Sequence, residues 1–115
     1  MDLKLKILQN VKLALERDIV SYADLRQITR DASPDGNDHT CSLEIIIAGL
    51  LDEGVQIGNA LDIEGAKVKF VAWKGNVGER VSRAGSELKS CAERDRDFAF
   101  WFCLSSNVDE FEIES

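Results

Sequence analysis

A chain of 115 residues, 44% of them hydrophobic and 30% charged, is long enough for one compact domain and too short for two ordinary ones. It has no run of about eighteen apolar residues and no signal-peptide pattern at its start, so we predict a cytosolic protein without a membrane segment. Its three cysteines lack CxxC spacing, which argues against a disulfide framework and against a four-cysteine zinc site.

The net charge of −7 is unevenly distributed along the chain. Residues 31–66 carry eight acids and no base, and residues 98–115 carry four acids and no base. Affinity for phosphates comes chiefly from clustered Lys and Arg, so these two segments would repel a nucleic acid. They would attract a basic partner.

Three helices are predicted in the first half of the chain. Apolar residues over 3–15 recur at helical spacing and predict the first helix. Ser21 and Asp24 have the spacing of a capping box, so a short second helix should begin there and continue to about Arg30. A third apolar stripe, followed by a glycine, predicts a helix over about 41–53.

The second half of the chain changes to the two-residue period of strands. Strands are predicted near 55–58 and 67–73, with the sequence GNALDIEG, residues 58–65, as a loop between them. A fourth helix should follow at about 76–93. Residues 97–104 are apolar on both faces and predict a strand that is central or covered on both sides.

Three helices followed by a short strand, a loop and a second strand resemble the winged-helix family over residues 1–73. The sequence LLDEGVQIG, residues 50–58, is similar to the end of the third helix running into the wing. The resemblance implies a three-helix N-terminal part in winged-helix order, followed by a small sheet. We predict a single α+β domain over 1–115, with 106–115 as a candidate flexible acidic tail.

The sequence DASPDGNDHTCSLE, residues 31–44, partly matches a calcium-binding loop. Counted from Asp31, the first, third, fifth and sixth positions fit, but the twelfth is Ser42 where a bidentate glutamate is needed. Glu44 comes two residues too late. A turn leading into the third helix explains the stretch, and we predict no calcium site.

His39 is the single histidine of the chain, and it limits the chemistry that is available. His39 and Cys41 without characteristic spacing are poor support for a transition-metal site. A nucleophilic triad would also depend on His39, in an acidic loop. We therefore predict no metal, no cofactor and no enzymatic activity.

Two further motifs could bind a ligand. The sequence KGNVGER, residues 74–80, turns from a strand into a helix, where backbone N–H groups can hold an anion. Only two residues separate Gly75 from Gly78, which is not the P-loop spacing, and a plain helix start is favoured. Trp73 and Trp101 could stack on bases if they faced each other, but core packing is favoured for both.

The favoured interpretation is a protein-binding module that uses acidic residues to bind a basic protein. An immunity protein that neutralises a nuclease toxin is an example, and charge complementarity would speed the encounter. The candidate partner-binding residues are the acids of segment 31–66, namely Asp31, Asp35, Asp38, Glu44, Asp52, Glu53, Asp62 and Glu64.

Two alternatives remain from other classes. One is a winged-helix transcription regulator or nucleic-acid-associated domain whose contacts come from bases outside the third helix, namely Lys4, Lys6, Arg26, Arg30, Lys67 and Lys69. The other is a small enzyme or ligand carrier with its site at the 74–80 turn. Identifying what co-purifies with the protein would discriminate among the three interpretations.

Overall fold

The computed structural model describes residues 3–33, 43–63, 67–104 and 108–114. Its helices are α1 (Leu3–Leu15), α2 (Tyr22–Ala32), α3 (Leu43–Asp52) and α4 (Val77–Ser90), with a 3₁₀ helix at Glu93–Phe98. Its strands are β1 (Val20–Ser21), β2 (Gln56–Ile63), β3 (Lys67–Ala72), β4 (Trp101–Cys103) and β5 (Glu110–Ile113). In these described ranges, no helix combines the length and the apolar character needed to cross a bilayer.

The strands form one five-stranded mixed sheet in the order β1-β4-β2-β3-β5. The first four strands pair antiparallel with their neighbours, and β5 pairs parallel with β3. The α+β class is thereby confirmed. The predicted three-helix N-terminal part is corrected, because helices and strands interleave: β1 separates α1 from α2 and pairs with β4 at the other end of the chain.

The predicted helices are confirmed with small shifts at their ends. The Ser21 hydroxyl oxygen accepts a hydrogen bond from the Asp24 N–H at 3.1 Å, and the Asp24 carboxylate accepts one from the Ser21 N–H at 3.2 Å. This is the predicted capping box, and it fixes the start of α2. Gly54 follows α3 with a φ of 92°, a left-handed conformation that glycine adopts without strain.

Strand β2 is longer than predicted and includes most of the sequence assigned to a loop. It pairs with β3 from Gly58 opposite Ala72 to Ile63 opposite Lys67. Gly58 is a point of close approach, because a Cβ atom there would lie 2.1 Å from the backbone oxygen of Val71. The glycine that suggested a loop in fact lets two strands come together.

The predicted strand over 97–104 is also corrected. Only Trp101–Cys103 are in a strand, and Phe98 ends the 3₁₀ helix with 62% of its surface exposed. The predicted inner position is confirmed, because β4 lies between β1 and β2. Phe102 and Cys103 point to opposite faces of the sheet and both are buried.

The helices cover one face of the sheet, and this helix-packed face holds the main core. Residues Ile57, Trp73, Phe100 and Phe102 of the sheet region belong to it together with the apolar stripes of α1 and α3. The second face carries a smaller cluster, in which register places five side chains on one side of the sheet: Phe70, Ala72, Trp101, Cys103 and Phe111.

Candidate partner-binding surface

Four of the eight predicted partner-binding acids have described side chains, and all four are exposed. Asp31 lies in the last turn of α2 and accepts a hydrogen bond from the Gln27 amide at 2.8 Å. Glu44 lies in the first turn of α3 and Asp52 is its last residue. Glu53 follows directly, and its carboxylate lies 3.2 Å from the Lys12 ammonium.

The structure spreads these acids over the molecule. Glu44 and Asp52 lie at opposite ends of α3, about 12 Å apart along its axis. Asp62 is near the far end of β2, about 20 Å along that strand from Gln56. Asp52 and Glu53 are neighbours, but one of them is already paired with a lysine. In its described part, the acidic segment is therefore distributed over α2, α3 and β2.

Three predicted partner-binding acids, Asp35, Asp38 and Glu64, lie outside the described residues, as do His39 and Cys41 of the metal hypothesis. Within the part of the chain that the structure describes, no group of His, Cys, Asp and Glu side chains could hold a metal ion.

Strand β5 is an acidic feature that the sequence interpretation did not identify as a strand. It lies at the edge of the sheet, where only a tail had been expected. The Glu114 N–H donates to the Ala72 carbonyl at 2.9 Å, so the backbone groups of Glu110 and Glu112 also point to β3. Those of Phe111 and Ile113 point outward. Alternation of Glu with Phe and Ile was the signal that could have revealed this strand.

Glu112 of β5 and Glu114, which follows the strand directly, tie this segment to the rest of the fold. The Glu112 carboxylate lies 3.2 Å from the Lys69 ammonium, and Glu114 forms an ion pair with Arg83 of α4. The Arg83 guanidinium also lies over the Trp73 ring, 4.3 Å from its centroid. Hydrogen bonding from Arg83 lowers the pKa of the Glu114 carboxyl below its usual 4.5.

Asp109 and Glu110, the other two acids of residues 108–114, differ in their surroundings. The Asp109 carboxylate accepts a hydrogen bond from the Val68 N–H at 3.0 Å. Glu110 is exposed and has no ion pair among the described residues. From residue 108 to residue 114 the chain carries four acids and no base, so this edge attracts cations.

The Arg83–Glu114 pair leads to a prediction about pH. Because the pKa of Glu114 is lowered in the fold, the tether is present above the ordinary glutamate pKa and is lost as the pH falls through the lowered value. We expect hydrogen-exchange protection of the Glu112 and Glu114 amides to be smaller in Arg83→Gln than in the wild type at neutral pH. The difference should become smaller at acidic pH, where Glu114 is protonated and the contact of Arg83 with Trp73 still distinguishes the two proteins. Equal protection at neutral pH would contradict the prediction.

The 74–80 turn is a capped helix start. The Asn76 side-chain oxygen accepts from the Glu79 N–H at 2.8 Å, and the Glu79 carboxylate accepts from the Asn76 N–H at 3.1 Å. Gly75 makes the preceding turn with a φ of 114°. The Lys74 N–H donates to the Glu114 carboxylate at 3.3 Å. The N–H groups of Lys74 and Asn76, which an anion could have used, thus donate to carboxylates of the chain itself. The turn is the plain helix start that was favoured from the sequence.

The two tryptophans lie on opposite faces of the sheet. Trp73 is 2% exposed in the main core, and its indole N–H donates to the Asn59 side chain at 2.9 Å. Trp101 lies on the second face, with its ring centroid 5.6 Å from that of Phe98. They cannot form a common stacking platform, and the prediction of core packing is confirmed for Trp73.

The two described cysteines differ in burial. Cys103 is buried in the second-face cluster, and burial raises the pKa of its thiol to about 12. Cys91, at the end of α4, is partly exposed. A thiol with such a raised pKa stays protonated and is a poor nucleophile.

The bases of the nucleic-acid alternative also lie on several elements. They belong to α1, α2 and β3. Lys69 pairs with Glu112, and the Arg26 guanidinium lies 3.6 Å from the Asp97 carboxylate. Basic side chains that are already paired with carboxylates bind a phosphate backbone less strongly.

Comparisons with known proteins found no match among protein-family models, curated proteins or solved structures. The fold and the surface charges define a small acidic α+β protein with an acidic strand at one edge of its sheet.

Proposed function

We propose that this protein is a binding module for a basic protein partner and acts without catalysis of its own. The observation that carries the proposal is the distribution of charge. Segment 31–66 carries eight acids and segment 98–115 carries four, and neither segment contains a Lys or Arg. The side chains of Asp31, Glu44 and Asp52 are exposed. Such a surface favours encounter with positive proteins and disfavours nucleic acids.

The form of this function that we favour is inhibition of a nuclease toxin by an immunity protein. A nuclease must present a basic groove to its polyanionic substrate. An acidic protein that covers this groove would gain its association rate from charge and block the substrate at the same time. The winged-helix regulator has weaker support, because its candidate bases lie on separate elements and two of them pair with acids.

The test begins with the protein that co-purifies from the native source and measures its association rate. In a triple variant, Asp31→Asn, Glu44→Gln and Asp52→Asn, we expect the rate constant at low salt to fall by about threefold to tenfold. Its dependence on salt should become flatter. The free energy of unfolding should change little, because exposed charges contribute little to stability.

A control variant removes the same number of charges elsewhere, through Glu16→Gln, Asp18→Asn and Asp95→Asn, all at exposed positions outside segment 31–66. It should associate at nearly the wild-type rate at low and at physiological salt. If the association rate falls equally in both variants, the effect comes from net charge and not from the acids of segment 31–66. A nucleic acid as the co-purified partner would refute the proposal.

A further inference from the structure

The outer edge of β5 has backbone hydrogen-bonding groups without a partner in the described part of the chain. β5 is the last strand of the sheet, and the N–H and C=O groups of Phe111 and Ile113 point away from β3. Such an edge is a template for another extended segment. The side chain of Ile113 is 64% exposed beside it.

A second copy of this chain is a poor occupant. In an antiparallel two-fold pair, Phe111 and Ile113 must lie opposite Phe111 or Ile113 of the other copy, because only these residues turn their backbone groups outward. Each such register places Glu112 opposite Glu110, Glu112 or Glu114 of the other copy. Like charges directly opposite each other destabilise a pair of strands.

The same alternation fits a basic extended segment. Lys or Arg opposite Glu110, which has no ion pair among the described residues, would give an oppositely charged cross-strand pair, which stabilises a sheet. A base opposite Glu112 would share that carboxylate with Lys69. Apolar residues opposite Phe111 and Ile113 would extend the second face, where Phe111 stacks on Phe70 with ring centroids 6.0 Å apart. The edge therefore selects a strand in which basic and apolar residues alternate.

We propose that the outer edge of β5 binds an extended segment of the partner, with alternating basic and apolar residues, as an additional strand of the sheet. This rests on the proposed function, since it assigns the basic partner a place and a mode of binding. Main-chain hydrogen bonds would provide affinity, and the glutamates would select the sequence.

The experiment uses the full chain and a fluorescein-labelled peptide of alternating lysine and valine, about eight residues long, which is the length of an ordinary strand. We expect anisotropy to show saturable binding. A peptide of the same composition, with its lysines in one block and its valines in another, should bind at least about tenfold more weakly, because charge is equal and only the alternation differs. Hydrogen exchange of the Phe111 and Ile113 amides should slow when the alternating peptide is added.

A pair of variants at Ile113 separates the backbone edge from the side chain. Ile113→Pro removes the N–H group that points outward. It leaves the hydrogen bonds between β5 and β3 intact, and proline is tolerated at such edge positions. It should weaken peptide binding by about tenfold. Ile113→Thr keeps the N–H group and should bind within about threefold of the wild type. Glu110→Lys should also weaken binding, through like-charge repulsion.

Several outcomes would overturn the inference. One is equal binding of the alternating and block peptides. Another is unchanged exchange at Phe111 and Ile113 with bound peptide, a result that does not depend on how well the proline variant folds. Slow exchange of these amides without peptide would mean that the edge is already covered. A wild-type dimer that Ile113→Pro dissociates would assign the edge to a second copy.

Failure of this inference can be told apart from failure of the proposed function. If the co-purified basic partner binds and the triple acidic variant slows its association, the proposed function holds whatever the peptide does. If the partner then binds Ile113→Pro as tightly as wild type, the edge is not its site. If no basic partner is found, both proposals fail.

Discussion

Replacing Phe100 by alanine is expected to lower the free energy of unfolding by about 3–5 kcal/mol. The Phe100 ring is fully buried, and it contacts three other aromatic rings at centroid distances of 5.3 Å (Tyr22), 5.8 Å (Trp73) and 5.7 Å (Phe102). Alanine would remove all these contacts and leave a cavity in the main core. Urea denaturation of the two proteins measures the difference.

Phe98 provides the matched control, since it is the same residue type two positions earlier and is 62% exposed. Phe98→Ala should cost less than about 1 kcal/mol, mainly through its stacking on Trp101. A similar cost for the two variants would mean that the division between main core and surface along this segment is wrong.

Replacing Gly58 by alanine is expected to lower the free energy of unfolding by about 3 kcal/mol, although it adds a single methyl group. The added Cβ atom would lie 2.1 Å from the Val71 oxygen and 2.8 Å from the Ala72 Cα atom. Both are backbone atoms of β3, so the strands must move apart to accept it. Thermal or urea unfolding would measure the loss.

Gly85 gives a control with the opposite sign. It lies inside α4, and a Cβ atom there would have no neighbour within 4 Å. Gly85→Ala should raise the free energy of unfolding by about 0.5–1 kcal/mol, because alanine is the better helix former. If both variants destabilise the protein alike, the close approach at Gly58 is not the cause.

Local signals predicted the helices well, because the residues that decide them are close in sequence. Ser21 and Asp24 cap α2 from three positions apart, and the apolar stripe of α3 repeats within ten residues. Strand β2 was missed beyond its first residues because Gly58 and Asn59 are typical of turns. They are strand residues because they pair with β3, the other strand of this antiparallel pair.

The candidate surface was predictable only in its composition. The acids of segment 31–66 are plain in the sequence, but α3 places Glu44 and Asp52 at its opposite ends, and Asp62 belongs to β2. Glu110 and Glu112 were assigned to a tail. Their alternation with Phe111 and Ile113 is typical of a strand, but nothing near them indicates that β3 will be its neighbour. Charge can be counted from a sequence, whereas its grouping in space depends on long-range pairing.

The pairing of β1 with β4 has a consequence for how the chain folds. Val20 lies opposite Phe102, 82 positions later, so this contact closes most of the chain into one loop. Closing a long loop costs entropy before any contact is gained, and folds rich in such contacts form slowly. During synthesis β1 must wait for its partner until the chain has been made as far as β4. Until then the apolar stripes of α1 and α3 have only part of their sheet to pack against, and transiently exposed apolar surface of this kind favours aggregation.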